Sequence, residues 1–194
     1  MPKSNETICP WVNHEQVYID YHNEEWGRPV YDALELFEKL CLDGLQAGLS
    51  WITILKKKQG YRDAFCNFDP YKIIELSPEY LDGQLDNSQI IRNKLKINSI
   101  VRNAQAYVKF VEQGEDFSQF LWQFVGGKPK VNQFKTMDEV PTQTEQSVAM
   151  SKALKKLGFN FVGPTICYAF MQAVGMVNDH LVGCDYYEGN VGSQ

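Results

Sequence analysis

Within Leu42-Asp43-Gly44-Leu45-Gln46-Ala47-Gly48-Leu49-Ser50-Trp51, one carboxylate stands in apolar company and the run ends on a tryptophan. A carboxylate held among aromatic side chains can grip a flat, electron-poor ring. The aromatic faces attract a cation, and the carboxylate adds charge and a hydrogen-bond acceptor. Trp11, Tyr18, Tyr21 and Trp26 precede this stretch in a poorly periodic segment that reads as loop with short turns. Taken alone, such aromatics most often serve packing.

A second set of chemistry-bearing residues lies at the two ends of the chain. Cys9 and His22 stand near the start, His180 and Cys184 near the end. His180 and Cys184 are four residues apart, the offset that puts two ligands on one face of a helical turn. Two thiolates and two imidazoles make a closed tetrahedral zinc shell, structural because no position is left for water. One such zinc ion would staple two distant segments, and its binding energy would become folding energy. The spacing alone leaves chance pairing open. His14, Cys41, Cys66 and Cys167 have no such partner and read as structural.

The elements that must position these residues read as helices. Asp32 with Glu35 three residues on fits a capping box, followed by Leu34, Phe37, Cys41 and Leu45 at helical spacing. Ser50 can cap a second helix from Trp51, and Lys56-Lys57-Lys58 further along reads as a solvated face. Asp69-Pro70 and Ser77-Pro78 are N-cap plus first-turn proline signatures. After a tight turn at Leu85-Asp86-Asn87-Ser88 comes a long helix with Ile97, Ile100, Ala104, Tyr107 and Val108 on one face. Arg92, Lys94, Lys96 and Arg102 at its start make a phosphate site conceivable, against solvation as the ordinary fate of such residues. A short helix at 118–125 stops at Gly126-Gly127, and 126–146 is loop-like. Ser147 to Leu157 and the segment after Gly163-Pro164 are the last two helices. With β-branched alternation nearly absent, the class is all-α, with roughly eight to ten helices of ordinary length.

Bulk properties agree with one soluble domain. The 194 residues are enough for a sizeable core, and 44% hydrophobic with 22% charged residues is ordinary. A net charge of −5 argues against a wholly basic nucleic-acid binder but leaves local basic patches open. No apolar run reaches membrane-spanning length, and the first residues lack the apolar core of a signal peptide, so a cytoplasmic protein without membrane attachment is expected. Five cysteines, an odd number, do not suggest a disulfide framework and point instead to metal binding or buried thiols.

Together these pieces resemble the DNA-3-methyladenine glycosylase I family. The motifs that carry the resemblance span about residues 9–187. They are Cys9-x-Trp11, Tyr18-Ile19-x-Tyr21-His22, Glu25-Trp26-Gly27, Gln46-Ala47-Gly48-Leu49-Ser50-Trp51, Ser151-Lys152-Ala153-Leu154, Phe161-Val162-Gly163, Thr165-Ile166-Cys167-Tyr168 and Val177-Asn178-Asp179-His180. The resemblance implies one helix-hairpin-helix glycosylase domain over 9–187, with flexible tails at 1–8 and 188–194, and a structural zinc on Cys9, His22, His180 and Cys184. It implies excision of 3-methyladenine from alkylated double-stranded DNA by a monomer, with free 3-methyladenine as product and no strand cleavage. Trp11, Tyr18, Tyr21, Trp26 and Trp51 would line the base pocket, and Asp43 would recognise the base. Gly48 and Leu49 would lie at the gap left by the extruded nucleotide, and Ile91, Arg92, Asn93 and Lys94 would clamp phosphate from the hairpin.

Two residues depart from the family pattern. Asp43 stands where glutamate is usual, shortening the reach by about 1.5 Å. Gln89 stands where the hairpin usually has the glycine that permits close approach and positive φ. These departures keep a catalytically weak or inactive lesion-binding module of the same fold as the alternative. A zinc hydrolase is disfavoured because four protein ligands close the metal, and a helical scaffold would not distinguish damaged from intact DNA.

Overall fold

The computed structural model describes residues 7–187, and helices carry the fold. Ten α-helices occur among the described residues: α1 Gln16–Asp20, α2 Ala33–Leu45, α3 Trp51–Leu55, α4 Lys58–Ala64, α5 Pro70–Ile73, α6 Pro78–Gly83, α7 Lys94–Glu112, α8 Phe117–Trp122, α9 Glu145–Leu157 and α10 Pro164–Ala173. A two-residue parallel pair, β1 Lys130–Val131 with β2 Val177–Asn178, ties the loop after α8 to the segment after α10. None of the helices is long and apolar enough to cross a membrane. The expected tails lie outside the described residues except Thr7 and Ile8. Thr7 is bound to Asp185 in both directions, amide to carboxylate and carbonyl to amide, each at 2.9 Å.

The helix starts follow the capping residues. The Asp32 carboxylate accepts from the Glu35 amide, Asp69 from Tyr71 and Ser77 from Tyr80, which fixes α2, α5 and α6. Ser50 does begin α3, but its hydroxyl bonds the Thr53 hydroxyl at 2.7 Å instead of capping the backbone. The segment read as loop between Trp11 and Gly27 is helical. α1 runs into a π-helical turn over Tyr21–Glu25, closed by the Trp26 amide on the Tyr21 carbonyl. The π-turn widens the coil so that the consecutive residues Tyr21 and His22 are both buried. A 3.6-residue apolar period is absent there for the same reason.

α2 is the central helix. Leu36, Phe37, Leu40, Cys41, Leu42 and Leu45 are all buried around its circumference, the pattern of a helix enclosed on every side. It packs against α3, α7, α8 and α10. At Gly44 the Phe161 carbonyl comes so close that a Cβ would lie 2.9 Å from it.

α6 and α7 form a helical hairpin joined by residues 84–93, and α4 supports its turn from below. Lys57 Nζ donates to the Ser88 carbonyl at 2.6 Å, and the Ile91 amide donates to the Tyr61 hydroxyl at 3.1 Å. Gly60 lies against Gln89 so closely that a Cβ would stand 2.4 Å from its carbonyl oxygen. Gln89 itself is not among the residues with positive φ, so the side chain that replaces the usual hairpin glycine strains no backbone. The basic triplet is not a plain solvated face: Lys58 bonds Glu25 at 2.9 Å, and Lys56 pairs with Glu15.

Gly60→Ala is expected to push the hairpin turn off α4. The cost should be about 1–3 kcal/mol despite the better helix propensity of alanine. Urea denaturation reads it, and an unchanged midpoint would contradict this packing.

Candidate active site

α1, the π-turn, the end of α2 and the start of α3 bring six of the expected residues to one cavity of about 210 Å³, lined by Trp11, Tyr18, Tyr21, Trp26, Trp51 and Asp43. Trp11 stands at the hub of the aromatic wall, its ring centroid 5.1 Å from Tyr18 and 5.0 Å from Trp26. Across from it, Tyr21 and Trp51 meet at 5.3 Å. Tilted and edge-on contacts of this kind hold rings firmly and leave faces free to stack.

Asp43 is 3% exposed, and its Oδ2 has no hydrogen-bond partner among the described residues. The Trp51 indole nitrogen is likewise buried and unpartnered. Each such group costs about 1–3 kcal/mol in a folded protein, so an acceptor and a donor both left open beside one cavity mark a ligand site. Burial pushes the Asp43 carboxyl up to about 8, with the Lys39 ammonium pulling the other way. Lys39 is itself held by Glu25 at 3.2 Å. Burial would raise Glu25 too, but hydrogen bonds from Lys58 and the charge of Lys39 outweigh it and keep that carboxyl low. The Tyr21 hydroxyl is held well above its ordinary range by burial and by the nearby charges of Asp43 and Glu25.

Cys9, His22, His180 and Cys184 converge, with their ligand atoms within 4.8 Å of one another and all four buried. Cys184 Sγ lies 3.6 Å from both His22 Nε2 and His180 Nδ1, and Cys9 Sγ lies 3.8 Å from His180 Nδ1. Tetrahedral coordination with ordinary zinc–ligand bond lengths sets the S···N edge at about 3.6 Å, so the donor set fits a metal ion of this kind. The outward nitrogens are also placed. His22 Nδ1 meets Asn23 Oδ1 at 2.6 Å, and His180 Nε2 meets the Trp26 carbonyl at 3.1 Å, which fixes the tautomers for ligation. The route to this geometry differs from the helical turn that the four-residue spacing suggests. His180 and Cys184 lie on a non-helical segment, closed by the Cys184 amide on the Leu181 carbonyl at 2.8 Å.

The remaining expected residues form a separate face. Gly48 has φ +74° with open space around it, and Leu49 is an exposed apolar side chain between α2 and α3. On the hairpin, Arg92 is exposed and Lys94 pairs with Asp82 at 3.0 Å. Ile91 packs on the core, and Asn93 spends its side-chain oxygen on the Lys96 amide to cap α7. Lys96 is no phosphate contact. It is 6% exposed, and its Nζ donates to the Leu45 and Ala47 carbonyls at 2.7 and 2.6 Å. Those bonds satisfy carbonyls at the end of α2 and hold the hairpin helix to the Gly48–Leu49 loop.

Three polar lining residues escape a reading by residue type: Gln46, Gln172 and Asp179. Gln172 and Asp179 belong to one network. The Asp179 carboxylate accepts from Asn132 Nδ2 at 2.7 Å, the Tyr168 hydroxyl at 2.6 Å and Gln172 Nε2 at 2.8 Å. Only the i, i+4 spacing of Tyr168 and Gln172 on one face of α10 signals it in the sequence.

A chiefly helical fold with an aromatic cavity, a buried open carboxylate and a cluster of two cysteines and two histidines defines a protein suited to hold one flat, electron-poor ring. The sequence profile of the methyladenine glycosylase family matches residues 11–187, and the chain belongs to that family. It is 54% identical over 178 residues to a DNA-3-methyladenine glycosylase of Haemophilus influenzae, covering 92% of this chain and 96% of the relative. A crystal structure of a 3-methyladenine DNA glycosylase I superposes with a TM-score of 0.91 at 50% identity, over 92% of this chain and 98% of that one. The Staphylococcus aureus 3-methyladenine DNA glycosylase I, described for its recognition of 3-methyladenine, matches with a TM-score of 0.89 at 38% identity, over 92% and 95% of the two chains.

The raised Asp43 carboxyl makes a pH-dependent stability prediction. Its folded value near 8 exceeds the unfolded 3.8, so burying the charge costs stability progressively as pH rises from about 4 to about 8. Asp43→Asn removes that cost. Urea denaturation should show the variant more stable by on the order of 2–4 kcal/mol at pH 8, with the gap closing toward pH 4. A gap of the same size at both pH values would contradict the assignment.

Proposed function

We propose that this protein is a DNA repair glycosylase that hydrolyses the N-glycosidic bond of 3-methyladenine in alkylated double-stranded DNA. The observation that carries this is the open, buried Asp43 carboxylate inside an aromatic cage. Normal adenine in DNA is neutral, whereas 3-methyladenine carries a delocalised positive charge. Aromatic faces favour the cation by roughly 0.5–2 kcal/mol per contact. The carboxylate adds charge attraction and accepts from the exocyclic amine. Tyr21, Trp26 and Trp51 would stack on the flipped base, with Trp11 and Tyr18 closing the wall. Extrusion costs a few kcal/mol, less for a damaged base.

The methylated base is already a good leaving group, so a strong general acid is unnecessary. Water adds to the sugar carbon while the glycosidic electron pair withdraws into the cationic ring. Neutral 3-methyladenine leaves, and the water gives up one proton. Hydrolysis by water, without a covalent lysine intermediate, makes this a monofunctional glycosylase that leaves the strand uncut. Leu49 would fill the gap left in the duplex, with Gly48 allowing the backbone to approach. Arg92 and Lys94, with the backbone of Ile91 and Asn93, would hold phosphate from the helix-hairpin-helix element. Because Lys96 joins this element to the Leu49 loop, the two would engage DNA as one surface.

Cys9, His22, His180 and Cys184 would hold one structural zinc ion, which supplies folding energy and no open coordination site. One copy of the chain carries the whole cavity, so a monomer suffices, and reduced cysteine ligands suit a cytoplasmic setting. Metal analysis of the purified protein should find one zinc per chain. Cys184→Ser should lower both the zinc content and the melting temperature, and full thermal stability without metal would overturn this role.

The enzymatic reading is tested by release of free 3-methyladenine from methylated DNA. Asp43→Ala should lower kcat/KM by on the order of 100-fold, since truncating one partner of a buried hydrogen-bonded charge pair costs roughly 2–5 kcal/mol. Wild-type kcat/KM should also rise with pH toward a plateau above about 8, as the free carboxyl ionises. Release unaffected by Asp43→Ala would sink the assigned role. Binding of methylated DNA without any release would favour a lesion-binding module, the reading that the shorter Asp43 side chain keeps alive.

A further inference from the structure

A second, smaller hollow adjoins the base cavity and shares Tyr21, Asp43 and Trp51 with it. Its other polar lining is an ion cluster of Glu25, Lys39 and Lys58, to which the reaction described above gives no part. Lys39 and Asp43 are four residues apart on α2, the offset at which a lysine and a carboxylate on one helix face can meet. Both are buried, yet Asp43 Oδ2 takes no hydrogen bond from the ammonium. Lys39 Nζ turns instead to Glu25 Oε2 at 3.2 Å, with Glu35 further off at 3.9 Å. Glu25, at the end of the π-turn, is fixed in turn from α4, where Lys58 Nζ donates to its two oxygens at 3.1 and 2.9 Å.

The other charged and titratable groups around Asp43 are engaged or neutral. Burial keeps Tyr18 and Tyr21 protonated, and it pushes the Cys167 thiol on α10 up to about 12 against the charge of Lys155. Asp179 takes three donors, Glu38 is bonded by Arg62, and Lys96 on α7 is committed to the Leu45 and Ala47 carbonyls. Among the described residues, Lys39 is thus the cation placed to close on Asp43. Were it to do so, the carboxylate would be neutralised within its own helix, and a cationic ring would have to displace an ammonium to reach it.

We propose that Glu25 is a positioning residue that holds the Lys39 ammonium off Asp43, so that the carboxylate stays open for the cationic base. The inference rests on the glycosylase reading above and deepens it. Glu25 also offsets the repulsion that Lys39 would exert on a cation in the cavity.

The test follows the Asp43 carboxyl by carboxyl-carbon NMR across pH, with Asp43→Asn to assign its resonance, beside release of 3-methyladenine from methylated DNA. Glu25→Gln keeps the shape and can still accept from Lys58, so the π-turn stays braced while Lys39 is freed. The Asp43 midpoint should fall by about one unit or more as the ammonium closes on it. On the plateau above about pH 8, kcat/KM should fall on the order of tenfold. In a Lys39→Met background the same substitution has no ammonium to release, so both changes should shrink to a fraction. Lys39→Met alone keeps the length of the stem and should move the midpoint up. Equal losses from Glu25→Gln in both backgrounds, or an Asp43 midpoint that does not move, would mean that Glu25 only braces the π-turn and would overturn the proposal. Midpoints that shift as expected in a protein that releases no 3-methyladenine would keep the positioning role and remove the glycosylase reading instead.

Discussion

A carboxylate buried without a partner is the constraint on which the arrangement of this protein depends. Asp43 lies on a helix whose other sides are occupied by leucine, phenylalanine and isoleucine contacts, and among the described residues no cation pairs with it directly. Lys39 stands one turn away but is engaged by Glu25, so its positive charge reaches Asp43 only through space. The fold keeps the group buried and short of hydrogen bonds, a cost that is relieved by holding the proton up to about pH 8 and, on the function proposed above, by a cation entering the cavity. On that reading, affinity for a charged ring and reluctance to hold a neutral one would follow from the same burial.

The surrounding structure divides the remaining work between rigid parts. α2 brings the carboxylate, the π-turn brings Tyr21, and α3 brings Trp51 with its own open indole nitrogen. On the opposite side, α10 and the loop beside β1 supply a fully satisfied polar wall through Asp179. One carboxylate is therefore left wanting and the other is saturated. The first suits recognition of charge, and the second suits holding a neighbour in place.

Much of this is legible in the sequence. Proline after Asp69 and Ser77, and the acidic cap at Asp32, located helix starts because capping is local chemistry. The two cysteine–histidine pairs stood out because such residues are scarce. The Trp11–Gly27 segment is not legible as helix, since its aromatics face both a cavity and the Cys/His cluster and follow no single period. β1 and β2 are two residues each, too short to show alternation. Lys96 carries the composition of a solvated helix start, and only tertiary packing turns it into an internal strut. Gln172 and Asp179 were hidden because an amide and a carboxylate seven residues apart acquire meaning only when the backbone between them folds back.

The π-turn and the end of β2 share an arrangement. In each, a residue that lines the cavity is followed at once by a residue of the Cys/His cluster: Tyr21 by His22, and Asp179 by His180. The two sites are thus adjacent along the covalent chain at two separate points. A slip of a single residue in either segment would trade a cavity-lining group for a member of the Cys/His cluster, so neither can drift without the other being rewritten. Insertions and deletions, harmless in most surface loops, are barred from these two junctions by the reading frame of the backbone itself.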